Sequence, residues 1–297
     1  SLLVILIAVV VMSVSTRNEC RPLREMAQAA RDFGHGNLKA RVRTGGHNSE
    51  EVDELAVAFN NMAESLEKSE YQRQEFVANV SHELKTPMTT IGGYVDGILD
   101  GTIPPERHRY YMQIVSDETK RLSRLVRSML DISRLQDQAG IPEEKKTRFD
   151  MEECVGEVLI TFEQKIVAKN LDVDVSLPEH PVYTRADKDA VTQVVYNLLD
   201  NAVKFCTEGG TLGLKLTEGG GKIYITISNQ GNTIPPEELP LVFDRFHKID
   251  KARNRSQEGW GLGLYIVKTL VCSHGENISV ASRDGKTEFT FTMPLVN

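Results

Sequence analysis

The feature that most constrains this 297-residue chain is an apolar repeat that runs from residue 52 to residue 98. Apolar side chains recur there every three or four positions, which is the spacing of one face of an α-helix. No glycine or proline interrupts the segment before Pro87. We therefore expect a long helix whose narrow apolar face is buried only against other helices, including those of a second chain. The face consists of Val52, Leu55, Phe59, Met62 and Leu66, and then of Val77, Val80, Leu84, Met88, Ile91, Val95 and Ile98.

His82 lies on the opposite side of that helix. At about 100° per residue it falls roughly 160° from the centre of the apolar face, so its imidazole points at solvent. Glu83 can accept the Nδ1 proton and leave the Nε2 lone pair free for nucleophilic attack, and Thr86 supplies a hydroxyl one turn away. An ordinary surface histidine is the alternative. His82 and Glu83 also match the start of the H-E-x-x-H motif of zinc proteases. A zinc site of that kind is excluded, because Thr86 stands where the motif requires its second histidine.

The run SHELKTP at residues 81–87 resembles the phosphoacceptor motif of bacterial sensor histidine kinases. The resemblance implies three catalytic residues: His82 as the phosphorylated histidine, Glu83 as the acidic base, and Thr86 as the residue that orients water to remove phosphate from a partner protein. It also requires a nucleotide site elsewhere in the chain.

Charge and cysteine content argue against several other functions. The formal net charge is −7 and no basic segment stands out, which argues against nucleic-acid binding. The cysteines are scattered without a C-x-x-C pair, so we interpret them as reduced thiols and expect neither a disulfide framework nor a zinc site. They are Cys20, Cys154, Cys206 and Cys272.

Residues 2–14 are almost entirely apolar, and Arg17, Arg21 and Arg24 follow them. We predict a transmembrane helix over residues 1–16, with the arginines placing the rest of the chain on the cytoplasmic side of a bacterial cell membrane. The run is shorter than a full span, and the chain begins at Ser1 without a methionine, so we expect the helix to be truncated. A signal peptide and a buried core helix are the alternatives.

Two heptad-like segments flank a glycine-containing connector within residues 17–70. The first segment follows Pro22, and the second contains residues 53–55, whose sequence is DEL. This arrangement resembles a HAMP signal-relay module; a generic coiled coil is the alternative. The first segment carries Leu23, Met26, Ala30 and Phe33, and the connector carries Gly34, Gly36, Leu38, Val42, Gly45 and Gly46.

Residues 101–105 predict a turn, after which a second apolar repeat predicts a returning helix. Two such hairpins, one from each chain, would form a four-helix bundle over residues 71–138. The polar stretch 137–146, with Gly140 and Pro142, is then the linker to a further domain.

From Thr147 onward the pattern changes to strands alternating with helices. We expect an α/β sandwich with a mostly antiparallel sheet over residues 147–297. The predicted strands are 171–177, 211–217, 223–228, 278–282 and 289–293, and the predicted helices are 151–168, 187–205 and 262–274.

Three segments of this domain carry polar groups suited to a nucleotide. Asn197, Asn201 and Lys204 recur at helical spacing, so two amides and a cation form one row that can hold Mg²⁺ and phosphates. The alternative is a row of buried amides satisfied by backbone. The glycines of residues 259–264 open a helix and let its backbone approach an anion. Residues 285–287, whose sequence is GKT, match the end of a Walker A loop. That loop is excluded, because Val280 stands where its first glycine would be.

These segments resemble the N box and the two glycine boxes of the same kinase family, and so the Bergerat fold that the family shares with gyrase-type ATPases and Hsp90-type chaperones. The resemblance implies ATP and Mg²⁺, a mobile lid over about residues 232–258, and Asn201 as the metal ligand. The implied nucleotide-binding residues are Asn197, Asn201, Lys204, Phe205, Asn229, Gly231, Thr233, Ile234, Arg245, Phe246, Lys248, Gly259, Gly261, Leu262, Gly263 and Leu264.

The first glycine box departs from the family pattern at two positions. Asn229 replaces the aspartate that accepts a hydrogen bond from the adenine amino group, and Thr233 replaces a glycine of the lid. An amide still accepts a hydrogen bond, though without charge assistance. We therefore predict that ATP binding is retained but weaker.

The resulting hypothesis is a multidomain membrane protein with a transmembrane helix, an all-α HAMP coiled coil, a four-helix dimer bundle and an α/β ATP-binding domain. We expect a homodimer that phosphorylates His82 and passes the phosphoryl group to an aspartate of a response regulator receiver domain, which it also dephosphorylates. Membrane lipid is a further partner and nucleic acid is not. A nucleotide-impaired pseudokinase acting as a scaffold or phosphatase is the alternative, and a gyrase-like ATPase is a third.

Overall fold

A computed structural model describes residues 2–43, 50–136, 140–249 and 260–296. The chain divides into two compact units, residues 1–82 and residues 83–297. Gly45, Gly46 and Gly259 lie outside the described residues, as does the last part of the predicted lid.

The first unit is helical. Helix α1 covers Leu2–Gly34 and helix α2 covers Glu50–Leu99, so α2 also extends into the second unit. A small core holds the connector, because Val42 packs with Met26 and Ala56, and both backbone polar groups of Val42 bond the side chain of Asn60 at 2.9 and 2.8 Å. The long helix predicted from the apolar repeat is confirmed, and Pro87 lies within it. In the part of the chain that the structure describes, no helix has a stretch long and apolar enough to cross a bilayer.

The second unit begins with a helical hairpin. The C-terminal part of α2 and helix α3 (His108–Gln136) are joined through a short 3₁₀ turn at Pro105–Arg107. The rings of Tyr94 and Tyr111 meet across the hairpin with centroids 4.9 Å apart. The returning helix predicted from the sequence is therefore confirmed.

An α/β sandwich follows the hairpin. Its main sheet has the strand order β2-β4-β5-β7-β6, and only the β2–β4 pair is parallel. The predicted antiparallel character is thus confirmed. The strands are β1 (Thr147–Asp150), β2 (Asp172–Ser176), β3 (Tyr183–Ala186), β4 (Thr211–Gly219), β5 (Lys222–Gln230), β6 (Ile278–Arg283) and β7 (Lys286–Pro294).

Four helices accompany this sheet: α4 (Met151–Ile160), α5 (Glu163–Ala168), α6 (Lys188–Phe205) and α7 (Gly263–Ser273). The prediction of a single helix over residues 151–168 is wrong, because the helix is interrupted at Thr161 and Phe162. The Thr161 hydroxyl donates to the Val158 carbonyl oxygen, and the amides of both residues make the shorter i−3 bonds that end a helix.

The core of the sandwich lies between α6, α7 and the inner face of the sheet. Valine and leucine side chains of α6 pack on alternate residues of β4 and β5, and nearly all of them are fully buried. This packing fixes α6, which carries Asn197 and Asn201 on another side, and α7, whose N-terminus follows the second glycine box. The α6 residues are Val191, Val194, Val195, Leu198 and Leu199, and the strand residues are Leu212, Leu214, Ile223, Ile225 and Ile227.

Candidate nucleotide and phosphoacceptor site

Helix α6 carries the two amide side chains predicted to bind the nucleotide, Asn197 and Asn201. Its N-terminus is capped by Asp187, whose carboxylate accepts from the amides of Asp189 and Ala190. Since the apolar side of the helix faces the sheet, the four-residue spacing places Asn197 and Asn201 together on another side. The buried Nδ2 of Asn197 has no hydrogen-bond partner among the described residues. A buried donor left unpaired costs free energy, so its presence favours a ligand at this position.

The N-terminus of α7 lies opposite these amides. A Cβ built on Gly263 would be 3.8 Å from the Asn197 Oδ1 and 4.0 Å from the Asn201 Nδ2. No side chain caps this helix end at Leu262, and the first amides of a helix point outward toward an anion. Two amide side chains and a helix N-terminus therefore face each other across a residue that has no side chain. Leu262 is buried, and Leu264 is partly buried against the core.

Lys169 holds the other end of α6. Its Nζ donates to the carbonyl oxygens of Val203, Lys204 and Cys206 at 2.9, 2.8 and 3.1 Å. These are groups that a helix C-terminus leaves unpaired, and an ammonium also complements the negative end of the helix dipole. The sequence reasoning missed this residue, because Lys169 follows α5 in the chain and caps α6, so no local pattern indicates the contact. The contact fixes the backbone of the predicted nucleotide residues Lys204 and Phe205.

The strand end that carries the first glycine box lies close to the same helix end. A Cβ on Gly231 would collide with the Phe205 carbonyl oxygen, so only glycine fits there. Asn229 is 5% exposed on β5, and Phe205 is about half exposed. Burial raises the pKa of the neighbouring Cys206 thiol, which keeps that thiol protonated at neutral pH.

The β6–β7 hairpin holds the start of the predicted lid. Thr233 accepts a hydrogen bond on its Oγ1 from the Gly285 amide at 2.9 Å, and the Ile234 amide donates to the Ser282 Oγ at 2.9 Å. The sequence analysis noted Thr233 only as a residue that replaces a glycine of the family pattern. The structure adds a contact that glycine could not make.

The described part of the lid rests on the second glycine box. Gly261 has φ +70°, and a Cβ there would come within 2.6 Å of the His247 carbonyl oxygen. The Phe246 amide donates to the Gly261 carbonyl oxygen at 2.9 Å, and Phe246 itself has φ +59°, an unusual value for a bulky residue. Arg245 lies over the ring of Tyr265 and donates to its hydroxyl.

The residues of the phosphoacceptor motif lie on α2. His82 and Thr86 are exposed, whereas Glu83 is partly buried. Within the second unit, Glu83 pairs with Lys248 of the lid, with 3.2 Å between its Oε1 and the lysine Nζ. The sequence predicted neither this pair nor the contact of Trp260 with Arg121 of α3. Trp260 is the one tryptophan in the chain, which was the only available signal.

The donor set fits a nucleotide bound with a hard cation. Amide oxygens suit Mg²⁺, free backbone amides suit phosphates, and Lys204 and Lys248 are cations near the two boxes. Among the described residues, no group of three or more histidine, cysteine, aspartate or glutamate side chains could hold a metal ion. A cation here would be held by Asn201 together with the phosphates of its nucleotide.

Three family models match successive parts of the chain. They are described as the HAMP domain over residues 16–68, the His Kinase A (phospho-acceptor) domain over residues 72–138, and the histidine kinase-, DNA gyrase B-, and HSP90-like ATPase over residues 186–297. The sensor histidine kinase WalK of Bacillus subtilis (strain 168) is 35% identical over 255 residues, which are 82% of this chain and 40% of WalK. The sensor protein SrrB of Staphylococcus aureus (strain MRSA252) is 36% identical over 224 residues, which are 75% of this chain and 38% of SrrB.

Solved structures agree with these matches. The Acinetobacter baumannii histidine kinase AdeS aligns with a TM-score of 0.59 at 26% identity, covering 73% of this chain and 98% of that one. Histidine kinase ThkA in complex with the response regulator protein TrrA aligns with a TM-score of 0.61 at 26% identity, covering 78% of this chain and 66% of that one. The chain therefore belongs to the sensor histidine kinases of two-component systems. It spans about two-fifths of the length of the curated relatives it matches.

Proposed function

We propose that the chain is an ATP-dependent protein-histidine kinase that phosphorylates His82 and passes the phosphoryl group to an aspartate of a response regulator. The observation that carries this proposal is the unpaired Asn197 amide, which lies with Asn201 opposite the uncapped N-terminus of α7. That arrangement is suited to the phosphates of a nucleotide. The SHELKTP run supplies an exposed histidine as the acceptor.

Each residue then has a definite role. Asn201 would hold Mg²⁺, which would offset the charge of the phosphates, and Asn197, Lys204 and the α7 amides would hold those phosphates in a preorganised field. The Nε2 lone pair of His82 forms a bond to the γ-phosphorus while the bond from that phosphorus to its bridging oxygen breaks and ADP leaves. Glu83 accepts the Nδ1 proton and holds the imidazole in the reactive tautomer.

We propose a homodimer and a receiver domain as partners. The hairpin of α2 and α3 exposes apolar side chains on one side, which supports a four-helix bundle with a second copy. The relative ThkA was solved in complex with a response regulator protein, which supports a partner of that kind here. Thr86, on the same outer side of α2 as His82, would orient water when the partner is dephosphorylated.

We also propose that the chain acts at a membrane, with its N-terminal apolar run in the lipid and the rest in the bacterial cytoplasm. The run at residues 2–14 followed by Arg17, Arg21 and Arg24, and the adjoining HAMP match, support this. Flotation with vesicles of zwitterionic and anionic lipid tests it. The chain should rise with the vesicles, and a variant with charged residues placed in the run should stay at the bottom.

The kinase proposal is tested by incubating the chain with γ-labelled ATP and Mg²⁺. We expect an acid-labile, base-stable label that is absent in His82→Gln and retained in His180→Gln, which alters a surface histidine of the α/β domain. No label in the parent chain would favour the pseudokinase. Steady phosphate release that persists in His82→Gln would favour a simple ATPase.

A further inference from the structure

Residues of the lid and of the second glycine box contact the helical hairpin within the second unit. The Arg121 guanidinium of α3 lies 4.5 Å from the centre of the Trp260 ring, and the Lys248 Nζ lies 6.0 Å from the same ring. Lys248 also pairs with Glu83 at 3.2 Å, and Glu118 approaches Arg121 at 3.5 Å. The contact is therefore a chain of five side chains. The Trp260 indole is at the centre, a cation lies on each side of it, and a carboxylate pairs with each cation.

The contact is not an ordinary surface ion pair. Trp260 is only 9% exposed, and each charged side chain in the contact is about one-quarter to one-third exposed. A cation held against an aromatic ring is bound more firmly when water is excluded. Leu125 and Ile132 of α3 are fully buried and belong to the same hydrophobic core as α6 and α7. Hydrophobic packing between α3 and the α/β domain therefore accompanies the charged contact.

Two of the residues engaged here, Lys248 and Glu83, are ones that the resemblance assigns to nucleotide binding and to the phosphoacceptor motif. Lys248 is a candidate to meet the terminal phosphates, yet its ammonium pairs with a carboxylate. Glu83 follows His82 in the chain and is the candidate to hold the Nδ1 proton, yet its carboxylate pairs with Lys248. At 3.2 Å the two opposite charges largely neutralise each other, so Lys248 attracts a phosphate less strongly, and Glu83 attracts the imidazole proton less strongly, than either would unpaired.

We propose that Trp260, Arg121, Lys248 and Glu83 form a latch that holds the described part of the lid on the hairpin, and that nucleotide binding and the latch compete. This inference rests on the proposed function, because it concerns the regulation of the same site. In the latched form the cation for the phosphate and the carboxylate for the imidazole neutralise each other. Phosphorylation of His82 then requires the latch to open first.

Trp260 also provides the readout, since it is the one tryptophan of the chain and its emission reports its surroundings directly. We expect Mg²⁺ with a non-hydrolysable ATP analogue to shift the emission of the full chain to longer wavelength. Arg121→Ala should show the shifted emission without nucleotide. It should also bind the analogue about five- to tenfold more tightly, because the cost of breaking the cation–ring contact is removed.

Arg127→Ala is the matched control, because it removes an exposed arginine from the same helix. It should leave both emission and affinity at the values of the parent chain. Arg121→Lys, which keeps the charge and loses the planar guanidinium, should fall between the parent chain and Arg121→Ala. Circular dichroism shows whether each variant is folded.

Unchanged emission and unchanged affinity in a folded Arg121→Ala would overturn the latch while leaving the proposed function intact. Weaker binding in that variant would overturn it as well, because it would mean that the contact supports nucleotide binding. If no variant and no parent chain bound the analogue, the proposed function and the competition would fall together. The three outcomes are distinguishable in one titration series.

Discussion

Asn229 is a buried amide where the family pattern has a carboxylate, and its effect on nucleotide affinity is measurable. A carboxylate accepts a hydrogen bond from the adenine amino group more strongly than an amide does. We therefore predict that Asn229→Asp lowers the dissociation constant for Mg²⁺ and ATP about fivefold, a gain of about 1 kcal/mol. Calorimetric titration of the full chain measures it.

Asn229→Leu is the companion variant, because it removes the acceptor and retains a similar volume. Its binding should be weaker than that of the parent chain. Tighter binding by the leucine variant, or weaker binding by the aspartate variant, would show that the residue at this position does not accept from adenine.

Glu152 is a carboxylate whose ionised form is disfavoured in the folded chain. Burial raises the pKa of this group, the Asp150 charge raises it further, and one of its buried oxygens has no partner among the described residues. A raised folded pKa stabilises the fold below the unfolded pKa, and that contribution is lost as the pH rises through the folded value. The ionised group therefore destabilises the fold at neutral pH.

We predict that Glu152→Gln raises the free energy of unfolding at neutral pH by about 0.5 kcal/mol. The gain should vanish near about pH 4, where the glutamate is protonated. Urea unfolding at both pH values, followed by circular dichroism, measures it. The exposed neighbour Glu153, changed to Gln, is the control. An equal gain at both pH values would rule out ionisation as the cause.

At the scale of elements, the C-terminus of α6 depends on one lysine. Lys169 pairs with three carbonyl oxygens and is itself partly buried, so its loss leaves all three without that donor. We predict that Lys169→Met costs about 2 kcal/mol of unfolding free energy, the usual range for hydrogen bonds to a charged group. It should also weaken ATP binding, because Lys204 and Phe205 lose their backbone support.

The control for this variant lies one turn earlier on the chain. Lys165→Met removes an exposed ion pair with Asp200, and exposed pairs contribute little. We expect a cost below about 0.5 kcal/mol there. Lys169→Arg should restore part of the stability while altering the geometry of the three bonds. Equal costs for the two methionine variants would contradict a special role for Lys169.

Local patterns predicted most of the elements, because the periodicity of apolar side chains survives in the folded chain. The row of Asn197 and Asn201 was predictable for the same reason, since four-residue spacing fixes a shared helix side without any tertiary information. Strands β1 and β3 were missed. Each has four residues, and among the described residues they form a full pairing only with each other, across a long intervening segment, so neither carries a recognisable period alone.

Long-range contacts of the site were not predictable in the same way. Lys248 and Glu83 are 165 positions apart, and a chain with many lysines and glutamates offers many pairs of opposite sign. The contact of Trp260 with Arg121 depends on how α3 lies on the α/β domain. Sequence reasoning could name candidate site residues from local motifs, but not the long-range contacts that those residues make in the fold.

At the scale of the whole molecule, the hairpin of the second unit has an apolar side with no partner within the described chain. Met112, Val126 and Leu130 share one side of α3, and Met88 and Leu99 share one side of α2; each is more than two-fifths exposed. Large apolar side chains in such a row indicate a protein–protein interface. A second hairpin of the same kind would cover both rows.

We predict that the chain is a dimer in solution and that the double variant Val126→Glu with Leu130→Glu is a monomer. Glutamates in this row would be buried against those of the second copy, which costs desolvation and adds repulsion between like charges. Light scattering coupled to size exclusion measures the mass. Arg124→Glu changes an exposed residue two positions before Val126, on the other side of the same helix, and is the control that should remain dimeric. A double variant that keeps the mass of the dimer would place the interface elsewhere on the molecule, and the four-helix bundle would then have to be abandoned.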